Sequence, residues 1–425
     1  MPGLLREREF RSFWLGQTIS VFGDQITLLA IPIVAVLVLG ADPANMGLLT
    51  AAGLLPHLLF SLPAGVWLDR VERRRRLMIL SDIARAAVIA VIPLAFIGGW
   101  LSLELLFLVT FLVGTLSVAF DISWLTLFSA VAKREQFVQA NSLLSGSRSI
   151  SFIGGPAIGG ILIQLLSAPI TLLLDALSFL GSAFFLGRIR AAEPPIERDP
   201  GSIRNQLATG LSFIARDTIV RGILLSVGTV NFFNYCFAAL FILYVTTFLH
   251  VDPGVLGLAL GAGAVGSVIG AVIAGRVGQR LGVGRAYLLG LVLFPAPLIL
   301  VPLASGPMEL VLPLLFLSEF GSGLGVMILD INAGAMLQSR TPNRIRGRSG
   351  GAFRFINMGI RPIGATVGGL LGAAFGVRET LFVVTFAQLL GVLWLIGSPL
   401  LRLRAMPKPA DEHDQAGAET VAPPG

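Results

Sequence analysis

Charge is what this sequence has least of. Asp, Glu, Lys and Arg make up 13% of its 425 residues, where a soluble domain carries roughly 25%. Too few charges remain to clothe a body of this size in water. That excludes a soluble enzyme, a nucleic-acid-binding domain and a disordered chain. Cysteine is almost missing too: Cys236 stands alone in an apolar run, so no internal disulfide can form. The histidines, His57, His250 and His413, are scattered without ligand spacing, and no Gly-x-x-x-x-Gly-Lys loop occurs. No catalytic constellation stands out. The expectation is a protein that is not an enzyme and takes no metal or other cofactor.

Apolar residues fill the space instead, at 55% of the chain with 50 glycines and a mean hydropathy of +0.84. They gather into runs near 12–39, 46–67, 77–98, 101–128, 143–166, 169–189, 219–248, 254–275, 286–304, 308–330, 352–375 and 379–400. Each approaches or exceeds the ~20 residues a membrane helix needs. Strand alternation is absent, which argues against a membrane barrel. The expected fold class is an all-α membrane protein with twelve transmembrane helices. The first run follows Arg6, Arg8 and Arg11 and far outruns a signal-peptide core, so it reads as a retained helix.

The net charge of +7 reports orientation, because the basic residues sit in short loops rather than on one soluble face. With the N-terminus inside, Arg378 is the one of 31 Lys and Arg that falls in an outer loop. Arg85, Arg148, Arg221, Arg354 and Arg361 fall within spans, and all the others lie in inner segments. A miscounted helix would invert every later loop and scatter this bias. The expected protein is a monomer, multi-pass in the inner or plasma membrane, with both termini cytoplasmic and no nucleic-acid partner. The longest inner connection carries Pro194, Pro195 and Pro200. It separates an N-terminal six-helix bundle (1–189) from a C-terminal one (218–404), with 190–217 as a cytoplasmic central loop and 405–425 as a disordered cytoplasmic tail.

The halves echo one another at an offset of about 210 residues. Gly65 matches Gly275, Arg70 matches Arg280, Asp121 matches Asp330, and Gly159-Gly160 matches Gly368-Gly369, while Asp69 is replaced by Gln279. Two related halves suggest alternating access about a site near the membrane midplane. Some channels are also built from repeats, so the repeat alone does not decide.

The stretch Gly65-Val66-Trp67-Leu68-Asp69-Arg70-Val71-Glu72-Arg73-Arg74 resembles the signature G-x-L-A-D-R-x-G-R-[KR] of the major facilitator superfamily, departing from it at Trp67, Leu68 and Glu72. Gly154-Gly155-Pro156-Ala157-Ile158-Gly159-Gly160 resembles the G-P-x-x-G-G motif of antiporters in that superfamily. The phrase Arg134-Glu135-Gln136-Phe137-Val138-Gln139-Ala140-Asn141-Ser142 is similar to the twelve-span drug/proton branch, which contains macrolide, tetracycline and enterobactin exporters. The resemblance spans 5–404. It implies two pseudo-symmetric six-helix bundles and export of amphipathic, drug-like molecules in exchange for protons. One departure stands out. Residues 105–120 hold no basic side chain, so the arginine usual in the fourth span of that branch is missing.

The resemblance further implies that Asp69 faces the N-terminus of the eleventh span, where the helix dipole favours a carboxylate. Arg70 or Arg73 would then pair with Asp121. Together with Gly65 and Arg74 these residues form a candidate cytoplasmic gate; alternatively, the arginines only fix topology against anionic lipid. Gly155, Pro156, Gly159 and Gly160 permit tight packing and a bend, whether for conformational exchange or for generic helix contact.

Ionisable residues deep in the membrane discriminate better, since each is costly unless paired or hydrated. Asp24, His57, Glu319 and Arg361 all come out near mid-span. Asp24 and Glu319 are candidates for reversible protonation, with Arg361 as a possible counter-ion and His57 beside them; structural pairing inside each half is the competing explanation. Asp175 lies nearer the outer face, and Asp82 with Arg85 has the spacing of a local ion pair. Gln17, Gln25, Phe60, Trp124, Asn231, Phe233, Asn234, Tyr235 and Asn357 are candidate cavity residues, apolar walls with few polar groups that suit an amphipathic ligand. Aromatics in membrane helices more often pack against neighbours. Uptake or siderophore export by the same fold, and a non-transporting receptor or assembly partner, remain as other readings.

Overall fold

All twelve apolar runs form helices long enough to cross a membrane in the computed structural model, which describes residues 3–68, 73–191, 203–407 and 410. The first half comprises α1 (Arg8–Ile33), α2 (Pro43–Leu68), α3 (Arg74–Gly98), α4 (Leu103–Val131), α5 (Phe137–Leu166) and α6 (Ala168–Gly187). A further helix, α7 (Ile203–Arg216), precedes α8 (Thr218–Leu243), α9 (Pro253–Leu281), α10 (Val283–Leu293), α11 (Met308–Arg340), α12 (Arg346–Phe375) and α13 (Val377–Gln388), with short helical turns carrying the α10 span on to Leu303 and the α13 span on to Leu395. No strand occurs among the described residues.

Several helices outrun their apolar stretches. The tenth apolar run ends near residue 330, yet α11 continues to Arg340; α9 likewise runs on to Leu281. Hydropathy marks only the hydrocarbon-buried part of a helix, whereas backbone hydrogen bonding continues until a breaker such as Gly282 or Pro342 intervenes.

The α7 helix was not legible as a span because it is amphipathic and short. Its buried Ile214 and flanking Leu207 and Phe213 pack with Val220, Leu224 and Ala352. Asp217 closes it and starts the next helix: its Oδ1 accepts from the Ile219 and Val220 amides, each at 3.0 Å, and its Oδ2 accepts from Arg340 Nε at 2.7 Å. This is an N-cap reinforced by an ion pair.

The internal repeat is visible in backbone detail. After α1 the chain widens into a π-turn at Val34–Val38, and after α8 it does so at Tyr244–Phe248. Ala41 then donates to the Ala35 carbonyl at 2.8 Å, as Val251 does to Val245 at 3.0 Å. Gly40 and His250 take positive φ at the matching position. Pro43 and Pro253 open the following helices, where a missing N–H costs nothing.

By packing, the chain divides into two units. One contains Met1–Asp199, Cys236–Ala264 and Ala365–Thr380; the other contains Pro200–Tyr235, Val265–Gly364 and Leu381–Gly425. The boundaries cut through α8, α9, α12 and α13, whose predicted outer ends therefore group with the first six spans. Within the first unit, α1 packs on α5 and α6, α3 on α4 and α6, and α2 on α4. Its core includes Phe10, Phe13, Met78, Leu127 and Leu186. Tyr287 anchors the second, fully buried and sharing a 2.5 Å hydrogen bond with Ser226. Leu28, Leu80, Leu108, Leu165, Val272, Leu317 and Phe386 project outward from many helices. In water that coat would be an aggregation hazard; in lipid it is the solvated surface.

Candidate functional site

Asp24, half-buried, follows Gly23 on α1, and Gly23 has no room for a side chain. A Cβ there would fall inside contact distance of Asp175 Oδ1 and Ser178 Oγ on α6. Close approach thus places the α6 carboxylate directly against the α1 backbone. Asp175 is fully buried; Ser178 Oγ donates to its Oδ1 at 2.8 Å and Thr27 Oγ1 donates to its Oδ2.

The third helix adds the Asp82–Arg85 pair, a direct hydrogen bond from Arg85 Nη2 to Asp82 Oδ1 with both residues buried. The guanidinium lies 4.4 Å from the ring centroid of Phe120 and 4.2 Å from that of Phe179. Aromatic faces on two helices hold the cation. Asp24 feels the charges of Asp175, Arg85, Asp121 and Asp82. Of these carboxylates only Asp82 bonds directly to the Arg85 guanidinium among the described residues. The spacing of Asp82 and Arg85 suggests a local pair, and the structure adds what the sequence hides: aromatic rings of two other helices enclose this cation.

Removing it should unfold the first unit readily. Arg85→Met leaves Asp82 buried without its cation, an effect on the order of 3–5 kcal/mol. A clear drop in melting temperature of the purified protein is expected, partly restored by adding Asp82→Ala. A melting temperature within a degree of wild type would contradict the structural weight given to this pair.

Two expected pairings are not found among the described residues, Arg70 lying outside them. Arg73 does not pair with Asp121: Arg73 is exposed, and Asp121 Oδ2 instead lies 3.7 Å from His57 Nε2. His57 is on α2 and reaches across to α4, nearer than a side chain from the loop beyond. Arg361 forms no ion pair with Glu319 either. Glu319 is half-buried on α11 with no hydrogen bond or ion pair to any described residue, and Arg361 turns to neutral partners. In the gate motif, Arg74 is buried and Gly65 lies in helical backbone, while Asp69 and Arg70 lie outside the described residues.

The glycines of α5 divide their contacts between two helices. Gly155 abuts Gln25, and Gly159 lies with its Cβ position 3.3 Å from Ile26 Cα on α1. Gly160 faces the other way, toward Pro253 and Gly257 of α9, where a Cβ on it would lie 3.1 Å from Gly257 Cα. A related contact joins α2 and α12, where a Cβ on Gly47 would lie 2.8 Å from Gly369 Cα. The repeat connects the two, since Gly47 corresponds to Gly257 and Gly160 to Gly369. Gly47 and Gly257 were not singled out from sequence, although extending the 210-residue alignment would have found them.

The cavity candidates fall into separate groups. Gln17 and Gln25 are buried on α1, Gln25 against α5. Phe60 meets Phe111 edge-on at 6.2 Å. Trp124 stacks on Phe128 at 5.2 Å, beneath Arg148 at 5.4 Å. In the second unit, Phe233 packs on Phe232, Asn234 is half-buried, and Asn231 Nδ2 donates to Asn357 Oδ1 at 3.3 Å. Arg361 completes that group. Its Nη1 donates to Tyr235 Oη and its Nη2 to Asn357 Oδ1, both at 3.2 Å, with the guanidinium 5.2 Å from the Tyr235 ring centroid. No cluster of His, Cys, Asp and Glu able to hold a metal occurs among the described residues.

Comparison with known proteins gives a consistent picture. The family described as transmembrane secretion effector matches residues 3–422. An uncharacterized MFS-type transporter of Bacillus subtilis, YfiS, is 27% identical over 417 residues, covering 95% of this chain and 96% of its own. The multidrug efflux pump Tap of Mycobacterium tuberculosis is 26% identical over 411 residues, covering 93% of this chain and 94% of its own. Among solved structures, a bacterial homologue of the iron transporter ferroportin, inward-facing, aligns with a TM-score of 0.75 at 18% identity, covering 92% of this chain and 98% of that one. The nucleoside transporter NupG aligns with a TM-score of 0.73 at 13% identity, covering 91% and 98%. At those identities the structural matches speak to fold alone.

Proposed function

Since the chain belongs to the transmembrane secretion effector family of the major facilitator superfamily, we propose that this membrane transporter exports amphipathic small molecules in exchange for protons by alternating access. The observation that carries the reading is the excess of interior carboxylate over cation in the first unit, with half-buried Asp24 at its edge. A charge within the membrane is expensive, and residues kept there at such cost mark ion or proton paths. Asp24 takes up a proton from one side and gives it up to the other; Glu319, with no hydrogen bond or ion pair among the described residues, is the second candidate.

The two glycine contacts supply the conformational element. By the charge bias of the loops, both lie toward the outer face, and together they close it. Separation at Gly160–Gly257 and Gly47–Gly369 opens that face. The gate motif 65–74 acts at the opposite, cytoplasmic side. The kinship with a multidrug efflux pump supports an amphipathic substrate, as does a set of candidate contacts that mixes aromatic rings with neutral amides and carries no charge.

Inside-out vesicles test the proposal. With an imposed inward-acid pH gradient, they should accumulate at least one solute from a screen of macrolides, tetracyclines, dyes and siderophores. A protonophore should abolish that accumulation. Solute movement that ignores the gradient refutes the exchange, and movement of no solute refutes transport of this class.

A further inference from the structure

Arg361 lies at the midpoint of the 30-residue α12, about 22 Å from either end at 1.5 Å per residue. Snorkelling cannot reach water over that distance. A guanidinium so placed ordinarily pairs with an acid, yet Arg361 pairs with none among the described residues. Its hydrogen-bond partners are a phenol and an amide. Asp330 interacts with it electrostatically but forms no ion pair. Its Nε–H makes no hydrogen bond.

The surroundings are also biased toward donation. Tyr235 Oη accepts from Arg361, which leaves its own O–H free to donate. Asn357 Oδ1 is occupied by both Arg361 and Asn231, leaving the Asn357 amide N–H groups to donate. The group presents a fixed positive charge, a phenolic donor and an amide donor, and no carboxylate bonds to it among the described residues.

We propose that Arg361, Tyr235, Asn231 and Asn357 bind the acidic group of the transported molecule, so that the substrates are amphiphiles bearing a carboxylate or comparable oxyanion. This rests on the reading of the chain as an exporter of amphipathic molecules and narrows it to acids. The fork of a guanidinium matches a carboxylate in two parallel hydrogen bonds, and the Tyr235 ring limits its tilt. The acid supplies the missing counter-charge as the substrate enters. A lipid headgroup phosphate offers similar chemistry, and the test separates the two sources.

The probes are rhodamine B and its ethyl ester, which differ in one carboxylate. Binding is followed by fluorescence anisotropy with protein in phosphatidylcholine nanodiscs, without any pH gradient, so that a failure of proton exchange does not affect the result. Wild type should bind the acid about tenfold more tightly than the ester, as expected for a charge-assisted contact. Arg361→Met should bind both with the affinity of the ester, and Arg361→Lys should retain part of the preference. Three results overturn the proposal: equal affinities in wild type, a preference that survives in Arg361→Met, or saturable binding of neither probe. Phosphatidylglycerol that displaces rhodamine B in wild type and fails to do so in the Met variant would assign the site to lipid, against a solute acid. Tryptophan emission and melting temperature of the variants confirm folding.

Discussion

Gly257→Val should cut transport about ten- to hundredfold, because an overpacked contact costs about 1–3 kcal/mol and 1.4 kcal/mol is a factor of ten. The added side chain would fall against the Pro156 carbonyl of α5 and within 3.1 Å of Gly160 Cα. Both are backbone atoms, so no side chain can turn aside. The penalty falls only on states in which α5 and α9 touch, which makes it a penalty on closing rather than on folding. The melting temperature should therefore change little beside the transport rate. Gly154→Val, on α5 but facing α1 rather than α9, is the control, since the nearest atom to its Cβ position is 3.8 Å away on the Phe22 ring. Equal activity of the two variants would remove the seam from the cycle.

Asp24→Asn is expected to reduce pH-gradient-driven transport to the level of empty vesicles while substrate counterflow, which needs no net proton movement, continues. Asparagine keeps the shape of the carboxylate but cannot ionise and so carries no proton through the cycle, which separates coupling from binding. Asp24 suits this test better than Asp175, whose carboxylate is fixed by Thr27 and Ser178 and whose loss would disturb α1–α6 packing. Glu319→Gln is the parallel variant in the second unit, where no hydrogen bond ties the side chain down among the described residues. If Asp24→Asn transports normally and Glu319→Gln does not, the proton path lies in the second unit. Unchanged gradient dependence in both would reject protons as the coupled ion for these residues.

How far the sequence carried this reading depended on the range of the interaction concerned. Spans were legible because a hydrocarbon interior sets their length and composition residue by residue. The repeat was legible from Asp121 with Asp330 and Gly159-Gly160 with Gly368-Gly369, and the matched π-turns at Val34–Val38 and Tyr244–Phe248 give it physical form. Packing of Gly159 and Gly160 was foreseeable as close approach, but not that adjacent residues would serve different helices. Partner choice was not legible. Asp121 was expected to meet an arginine and lies by His57, and Arg361 was expected to offset a carboxylate and meets Tyr235 and Asn357. Helix periodicity gives the face of one helix; it does not give the rotation of the neighbour that meets it.

Composition and the distribution of arginines by themselves determined that this chain is a bundle of twelve membrane helices, because the bilayer acts on each segment separately and its demands are written locally; the residues matched at an offset of about 210 added that its halves are related. Only tertiary structure decided which buried charges found partners: Asp175 beside Gly23, Arg85 between Phe120 and Phe179, and Arg361 left among neutral groups. Those outcomes turn on ångström-scale distances between residues more than a hundred positions apart. No local pattern encodes such distances, because they arise from the joint packing of several helices at once.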